Sequence, residues 1–413
     1  MLSKSNVFWI LVILSGFTHP IFALEQAQIR MIASRIYERI AGVPLALNSP
    51  VRAEMETLIA AGKMAEAAAK ATAEKSFINL TVRNWAPRFF NRESDPSEGL
   101  NDAQAMLIGV VRDNRDAREL LSGNFTYQGG AGLTGANNAA IPALTPTSNA
   151  HYDFLENPAN GRSLFDDLVR VEPQSARPVS QNAGILTSRS WAAAHLVAGT
   201  NRRAVEYALQ QFLCRPIKSL SNTSVSDMFI RRDVERNPGN APSTFLNNCK
   251  GCHGGMDAMG GAFAFLTFDA TNKIAYRDTA NTVEFQSNGV ALKMNRYPGS
   301  DVAPPTAPPN SGAVTIDDHW VNLWAQQNVN TDVGWRGALE GYGVRDFGAM
   351  LASTRAFSDC MAKTIFTDIC HRAPEASDVS DIRSLADAFE NSNYNLRIVF
   401  ERAVALPQCV RQE

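Results

Sequence analysis

Cys249-Lys250-Gly251-Cys252-His253 is the stretch from which the rest of this sequence can be interpreted. Two cysteines separated by two residues and followed at once by a histidine form the signature of covalent c-type haem attachment. Each thiol adds across one haem vinyl group, and the adjacent histidine lies under the iron as its proximal ligand. With six cysteines and six histidines in the chain, chance would produce this pattern in about one such chain in a thousand. The motif therefore predicts one covalent haem c, attached at Cys249 and Cys252, with His253 on the iron.

Two other kinds of site contain a Cys-x-x-Cys pair. A structural zinc site would need a second ligand pair, and the sequence contains no other Cys-x-x-Cys and no His-x-x-x-His. A thioredoxin-like redox motif should open a helix after a β-strand. Residues 236–242, Arg-Asn-Pro-Gly-Asn-Ala-Pro, instead predict a loop before the motif. Haem attachment is therefore the favoured interpretation.

Three arginines lie shortly before the motif: Arg231, Arg232 and Arg236. Such a cluster usually forms a solvated surface. Beside a haem it can instead bind the propionates, because arginine pairs with carboxylates in a fixed fork. We include all three among the predicted haem-binding residues.

The sixth iron ligand decides what such a haem can do. A haem with two strong protein ligands transfers electrons, whereas an open sixth position can bind small molecules or run peroxide chemistry. Met294 lies far enough beyond His253 for the chain to pass round the haem edge, and we predict it as the second metal ligand. A core methionine in a strand is an equally good interpretation of Met294. His319, His195 and Met350 are further candidates, and a haem without a distal protein ligand stays open.

Charge and the N-terminal segment indicate where the protein is found. The 39 Lys and Arg nearly balance the 41 Asp and Glu, so we expect neither nucleic acid nor an anionic membrane surface as a partner. Lys4, the apolar run at 7–14 and the segment 20–23 predict a cleavable signal peptide that ends at Ala23. The run is short for a membrane span, so we expect no stable span after cleavage; an uncleaved anchor is the alternative. Because c-type haem is attached outside the cytoplasm, we predict a periplasmic or otherwise exported protein.

Four cysteines lie outside the motif and suit an oxidising compartment: Cys214, Cys360, Cys370 and Cys409. They allow three pairings. If residues 355–370 form one helix, Cys360 and Cys370 lie about 15 Å apart, which exceeds the reach of a disulfide. We favour Cys214 with Cys360 and Cys370 with Cys409, although the sequence does not choose between the two remaining pairings.

Hydrophobic periodicity predicts a mainly α protein. We expect a signal peptide at 1–23, a helical N-terminal domain at 24–128, a loop or linker at 129–160, a cytochrome c-like haem section with a small β-hairpin insert at 161–300, a proline-rich connector at 301–315 and a helical C-terminal domain at 316–413. Helices are predicted at 25–41, 64–75, 102–111, 115–121, 201–213, 319–327, 344–352, 355–370, 379–392 and 396–405, and strands at 273–276 and 283–297. The residues expected in the core of the first helical section are Leu80, Val82, Trp85, Phe89 and Phe90, and His151 is expected at the surface.

Several stretches belong to one pattern with the motif: Gly184-Ile185-Leu186-Thr187, Leu213-Cys214-Arg215-Pro216 and residues 249–269. They resemble the planctomycete-type cytochrome c domains of unknown function, and Met256-Asp257, Gly260 and Ala262 fall on the pattern of that family. Phe268-Asp269 match with two extra residues after Ala262, Ala258 replaces the usual proline, and a long insert separates 269 from 344. Residues 347–372 resemble the closing helical domain of the family, and residues upstream of about 125 resemble its preceding helical domain. The resemblance implies an exported single-haem protein and no known reaction.

These observations leave different classes of function open. We expect an electron-transfer protein that works through its covalent haem with an unidentified redox partner protein. The alternative is a haem enzyme, peroxidase-like or oxidative, with an open distal site. No distal acid–base pair is recognisable in the sequence, although His319 beside Asp317 and Asp318 is a candidate. A cell-envelope scaffold with a structural haem is the third possibility.

Overall fold

The structure is a computed structural model that describes residues 25–410 except 92, 94, 96, 197–200, 232–233, 269–272 and 277–316. Within these residues the chain is mostly helical, with three two-stranded antiparallel sheets. The predicted mainly α class is therefore confirmed. The predicted signal peptide, Arg232, Met294 with its strand at 283–297, and the connector at 301–315 all lie outside the described residues.

The chain begins with amphipathic helices. Gln26–Ala41 buries Ile29, Ala33, Ile36 and Ile40 along one face and ends at Gly42, whose φ of 70° is a left-handed conformation that glycine adopts readily. The elements that follow are Pro50–Ala60, Met64–Thr72, the π-helical turn Phe77–Val82, Arg83–Trp85, the 3-10 turn Ala86–Phe89, Asp102–Arg112 and Glu119–Ser122.

Leu80, expected in the core, is 40% exposed. It lies in the π-helical turn Phe77–Val82, whose buried side chains are Phe77, Ile78 and Val82, and Leu80 is on the exposed side of this turn.

A small sheet brackets the predicted linker. Strand β1, Thr126–Gly129, pairs with β2, Leu168–Val171. Between them lie Ala136–Asn138, Ala150–Glu156, Pro158–Asn160 and Leu164–Asp167. His151, expected at the surface, is buried: its Nε2 accepts a hydrogen bond from the backbone N–H of Gly129 at 2.8 Å, and its Nδ1 lies 2.7 Å from the Pro142 carbonyl oxygen. The expectation was wrong because both partners are backbone groups, which leave no pattern of side chains in the sequence.

The section around the motif is a series of short helices. Its elements are Val179–Gln181, Gly184–Thr187, Arg189–His195, Arg202–Leu213, Ile217–Leu220, Pro238–Asn240, Pro242–Thr244, the π-helical turn Phe245–Cys249, Lys250–Met259 and Gly260–Phe263. Arg202–Leu213 confirms the helix predicted at 201–213. The predicted strand at 273–276 is confirmed as β4, Ile274–Tyr276, which pairs with β3, Leu266–Phe268.

The last part of the chain is again helical. Strand β5, His319–Val321, pairs with β6, Glu340–Tyr342. The helices and 3-10 turns are Leu323–Gln326, Thr331–Val333, Gly343–Ala352, Arg355–Cys370, Ala376–Asp378, Val379–Asn391, Leu396–Val404 and Pro407–Val410. The helix predicted at 319–327 was wrong in its first part, because His319 opens a strand opposite Tyr342 and the helix begins only after its cap at Asn322.

Two disulfides join the four cysteines outside the motif. Cys214 pairs with Cys360, with their Cα atoms 5.3 Å apart, and Cys370 pairs with Cys409, with their Cα atoms 4.6 Å apart. Cys360 and Cys370 lie in one helix, as expected. The favoured pairing is therefore confirmed.

One cluster of buried apolar side chains runs through the N-terminal helices, the motif section and the C-terminal helices. Polar contacts also join the two ends: the Thr72 hydroxyl donates to Glu401 Oε1 at 2.7 Å, and Arg397 Nη1 donates to the Thr72 carbonyl oxygen at 2.6 Å. The division into domains at residues 128, 160 and 315 stays a prediction. No helix among the described residues is long and apolar enough to cross a membrane.

Candidate haem-attachment site

The motif residues lie on one side of a single helical segment. The helix Lys250–Met259, here the motif helix, follows directly on the π-helical turn that ends at Cys249. Cys252 and His253 are three and four residues beyond Cys249, the spacings that bring side chains onto one helix face. All three residues are half-buried, and neither cysteine forms a disulfide. Two thiols and one imidazole can therefore reach the same ligand.

Apolar groups line the thiol side of this segment. Cys249 packs against a small separate cluster formed by Ile230, Val234 and Phe245, here the satellite cluster. Leu246, one turn before Cys249, leaves 47% of its surface exposed. A largely apolar macrocycle attached at Cys249 would cover such a surface, and burying apolar area is favourable.

Glycines in the motif helix and in the 3-10 turn Gly260–Phe263 allow close packing on the other side of this segment. A Cβ atom on Gly255 would collide with the indole of Trp324, and one on Gly261 would collide with the carbonyl oxygen of His319. Trp324 is fully buried. The segment is therefore packed against the core on the side of these glycines, and Cys249 and His253 lie nearer to the surface.

Asp257 connects His253 to two arginines inside the protein. His253 Nδ1 lies 3.3 Å from Asp257 Oδ1, one helical turn further on. Arg202 donates to both carboxylate oxygens, from Nε to Oδ1 at 2.6 Å and from Nη2 to Oδ2 at 2.9 Å. Arg231 donates its backbone N–H to Oδ2 at 3.0 Å, and its Nη2 lies 3.9 Å from Oδ1. Because an ionised carboxylate only accepts hydrogen bonds, His253 donates through Nδ1, and in the neutral imidazole this leaves on Nε2 the lone pair that an iron ligand needs.

The Asp257 carboxylate is ionised although its side chain is fully buried. Burial by itself would raise its pKa. The charges of Arg202 and Arg231 and the hydrogen bonds from His253 and Arg202 outweigh burial and hold the pKa of Asp257 well below its ordinary value. A negatively charged carboxylate therefore faces the Nδ1 side of His253.

The described arginines of the predicted propionate cluster both have protein partners. Arg231 is buried beneath the motif helix beside Asp257. Arg236 donates to the carbonyl oxygens of Val234 at 2.7 Å and Ile230 at 2.9 Å, and its guanidinium lies 4.7 Å from the centre of the Phe245 ring. Arg236 thus braces the satellite cluster. A role of these arginines in binding propionates stays a prediction.

Two of the candidate distal ligands lie in the core. The His195 Nε2 atom is 2.9 Å from the Phe90 carbonyl oxygen, and the Asn322 amide donates to the Met350 sulfur at 3.6 Å. Both side chains are almost fully buried. Their contacts are those of core residues, and a distal role for either stays a prediction, as it does for Met294.

His319 begins strand β5 and is half-buried. Its ring lies 5.0 Å from that of Tyr342, and its Nε2 lies 4.0 Å from Glu340 Oε2. Asp317 accepts from the backbone N–H of His319 at 3.0 Å, so this described contact is not made to the imidazole. The proposed pairing of His319 with Asp317 and Asp318 as distal acid and base stays a prediction.

Sequence reasoning did not assign a role to Asp257 and did not single out Arg202. The i, i+4 spacing of His253 and Asp257 is a signal that could have found the first, because side chains at that spacing meet on a helix. Arg202 lies on another helix, and nothing in its local sequence points to the motif.

The described residues contain no group of three or more His, Cys, Asp and Glu side chains placed to hold a metal ion. Comparisons with protein-family models, with curated proteins and with solved structures found no match. The interpretation of the site therefore stands on the motif, its helix and the groups packed around it.

Proposed function

We propose that this chain is an exported mono-haem c-type cytochrome that transfers electrons through a haem attached at Cys249 and Cys252, with His253 on the iron. The observation that carries the proposal is the contrast among the six cysteines. Four are joined in disulfides, while the motif pair are thiols on the helix face that also carries His253. Disulfides indicate an oxidising compartment, where a spared pair beside a histidine suits thioether formation with haem vinyl groups.

The residues present fit a haem. The satellite cluster and Leu246 offer apolar contact beside Cys249. His253 would present Nε2 to the iron because its Nδ1–H is hydrogen-bonded to Asp257 Oδ1. A bound haem would supply one-electron Fe(III)/Fe(II) chemistry. The chain would attach the group, orient the imidazole and exclude water from the Cys249 side.

The finer architecture belongs to the same proposal. Residues 161–300 would form a cytochrome c-like section between helical N- and C-terminal domains, as in the planctomycete-type family that the sequence resembles. The two disulfides and the N-terminal segment at 1–23 support export to the periplasm or beyond. An unidentified redox protein would be the partner.

The first prediction tests haem attachment. Protein exported from a host with c-type haem maturation should give a pyridine haemochrome of one haem per chain and a haem-stained band on a denaturing gel. Cys249→Ala with Cys252→Ala should abolish the stain, because no thioether can form. Cys214→Ala with Cys360→Ala is the matched control: it also removes two cysteines and should keep the haem. Two haems or none in the unaltered protein, or a stained motif variant, would contradict the proposal.

A haem enzyme with an open sixth position is the second candidate. The contact between His253 and Asp257 favours it, because a carboxylate partner makes a metal-bound imidazole more basic and favours oxidised iron. The ferric optical spectrum separates the two candidates. A low-spin spectrum is expected for electron transfer, and a high-spin spectrum would put the enzyme first.

A further inference from the structure

The chain buries a charged carboxylate directly beside His253, the proposed iron ligand. An ionised carboxylate costs several kcal/mol to bury unless hydrogen bonds and opposite charges compensate for it. Asp257 leaves none of its side chain exposed, and the Arg231 side chain leaves only 2%. Arg202 and Arg231 supply this compensation, and the carboxylate that they hold faces His253.

The geometry indicates what the carboxylate does. Its Oδ1 faces both His253 and Arg202, while Oδ2 accepts from Arg202 and from the backbone N–H of Arg231. Arg202 and Arg231 therefore hold the carboxylate in place without any contribution from His253. The imidazole is the more exposed partner, with 24% of its side chain accessible. The direction of its Nδ1–H bond is thus dictated by a fixed acceptor.

We propose that Asp257 is a positioning residue that lowers the reduction potential of the haem at His253, and that Arg202 and Arg231 moderate this effect. The proposal rests on the haem attachment proposed above and deepens it. A carboxylate that accepts a hydrogen bond from Nδ1–H makes the imidazole a stronger electron donor to iron, which stabilises Fe(III) relative to Fe(II). The two guanidinium groups draw electron density from the same carboxylate and weaken that effect. Removing the negative charge of Asp257 should therefore raise the reduction potential, and removing the positive charge of Arg202 or Arg231 should lower it.

Potentiometric titration of the haem-loaded full chain tests the inference. Asp257→Asn removes the charge and nearly keeps the shape, and it should raise the potential by the equivalent of about tenfold in the Fe(III)/Fe(II) equilibrium, or about 59 mV for a one-electron couple. Arg202→Gln should lower the potential, because it leaves Asp257 a stronger acceptor and removes a positive charge. The haemochrome of both variants should still show one haem per chain.

Asp378→Asn is the matched control. Asp378 is also a nearly buried carboxylate paired with an arginine, Arg372, but it lies in the C-terminal helices. Its variant should leave the potential unchanged. A merely structural role of Asp257 would not produce shifts of opposite sign in Asp257→Asn and Arg202→Gln.

The outcomes separate the inference from the proposed function. Haem attached in both variants with unchanged potentials, or with shifts of the same sign, overturns the inference and leaves haem attachment standing. An unaltered protein without haem overturns both. If Asp257→Asn does not fold, Arg202→Gln decides alone: a lowered potential supports the inference, and an unchanged or raised one overturns it.

Discussion

At the scale of single residues, the charge of a buried carboxyl group depends on its neighbours. Burial raises the pKa of Glu401 and outweighs both the hydrogen bond from Thr72 and the nearby arginine charges. The balance is reversed at Asp257, where Arg202 and Arg231 act together with hydrogen bonds. Asp257 is therefore charged because of Arg202 and Arg231, and not because water reaches its carboxylate.

Asp378 offers a prediction about pH. Hydrogen bonds from Arg372 are the main cause that lowers the pKa of Asp378 from 3.8 to about 2. A carboxylate whose pKa is lower in the folded than in the unfolded state stabilises the fold above its ordinary pKa, and this contribution is lost as pH falls through the folded value. The stability lost in Asp378→Asn should therefore be constant above about pH 5 and shrink between about pH 4 and pH 2. Urea unfolding across this range measures it, and a difference that does not depend on pH would contradict it.

At the scale of elements, the helix Arg355–Cys370 carries one cysteine of each disulfide. Cys214 follows directly on the helix Arg202–Leu213, which also supplies Arg202 to the carboxylate under His253. The disulfide between Cys214 and Cys360 therefore links the helix that holds the Asp257 carboxylate to the C-terminal helices. Cys370 and Cys409 join that same long helix to the end of the described chain.

We expect removal of the two disulfides to lower the free energy of unfolding by different amounts. Replacing either pair by alanine should cost about 2–4 kcal/mol of unfolding free energy. The loss should be about 1 kcal/mol larger for Cys214 with Cys360, because that bond closes 146 residues of chain and the other closes 39. Urea unfolding of the two double variants compares them. Mass mapping without reduction should find none of these four cysteines alkylated, and a free thiol among them would contradict the pairing.

At the scale of the whole molecule, the two ends of the described chain pack on each other. The side chain of Arg35 donates to the Val410 carbonyl oxygen, and Arg397 donates to that of Thr72. Met259 of the motif helix belongs to the same cluster of buried side chains. The motif helix is therefore built on a core that the N- and C-terminal helices share.

The shared core predicts one cooperative unfolding transition. Far-UV circular dichroism, tryptophan fluorescence and Soret absorbance should give coincident thermal curves, because loss of the common core exposes all its parts together. Separate transitions, with the Soret band lost before most of the helical signal, would contradict this prediction. That result would favour the independent domains expected from the sequence.

Local patterns were enough for much of the fold. The helix Arg355–Cys370 and the buried face of Arg202–Leu213 follow from periodicity and caps that lie within a few residues of each other. The predictions that were wrong failed because of contacts between distant residues or because of irregular local structure. Leu80 lies in a π-helical turn, and His319 is drawn into a strand by a partner at Tyr342. Neither cause leaves a periodic signal in the sequence.

The candidate site divides in the same way. Cys249, Cys252 and His253 are recognisable from sequence because covalent haem attachment would require these positions on one helical turn. The position of Asp257 could also have been found, because it is four residues after His253 on the same helix. The charge beneath His253 depends on the packing of Arg202 and Arg231 against the motif helix. Contacts between residues far apart in the chain arise only when helices pack into one core. For this reason the amino-acid pattern alone indicates that a haem can bind at Cys249, Cys252 and His253. The tertiary structure decides the electrostatic surroundings of the His253 imidazole.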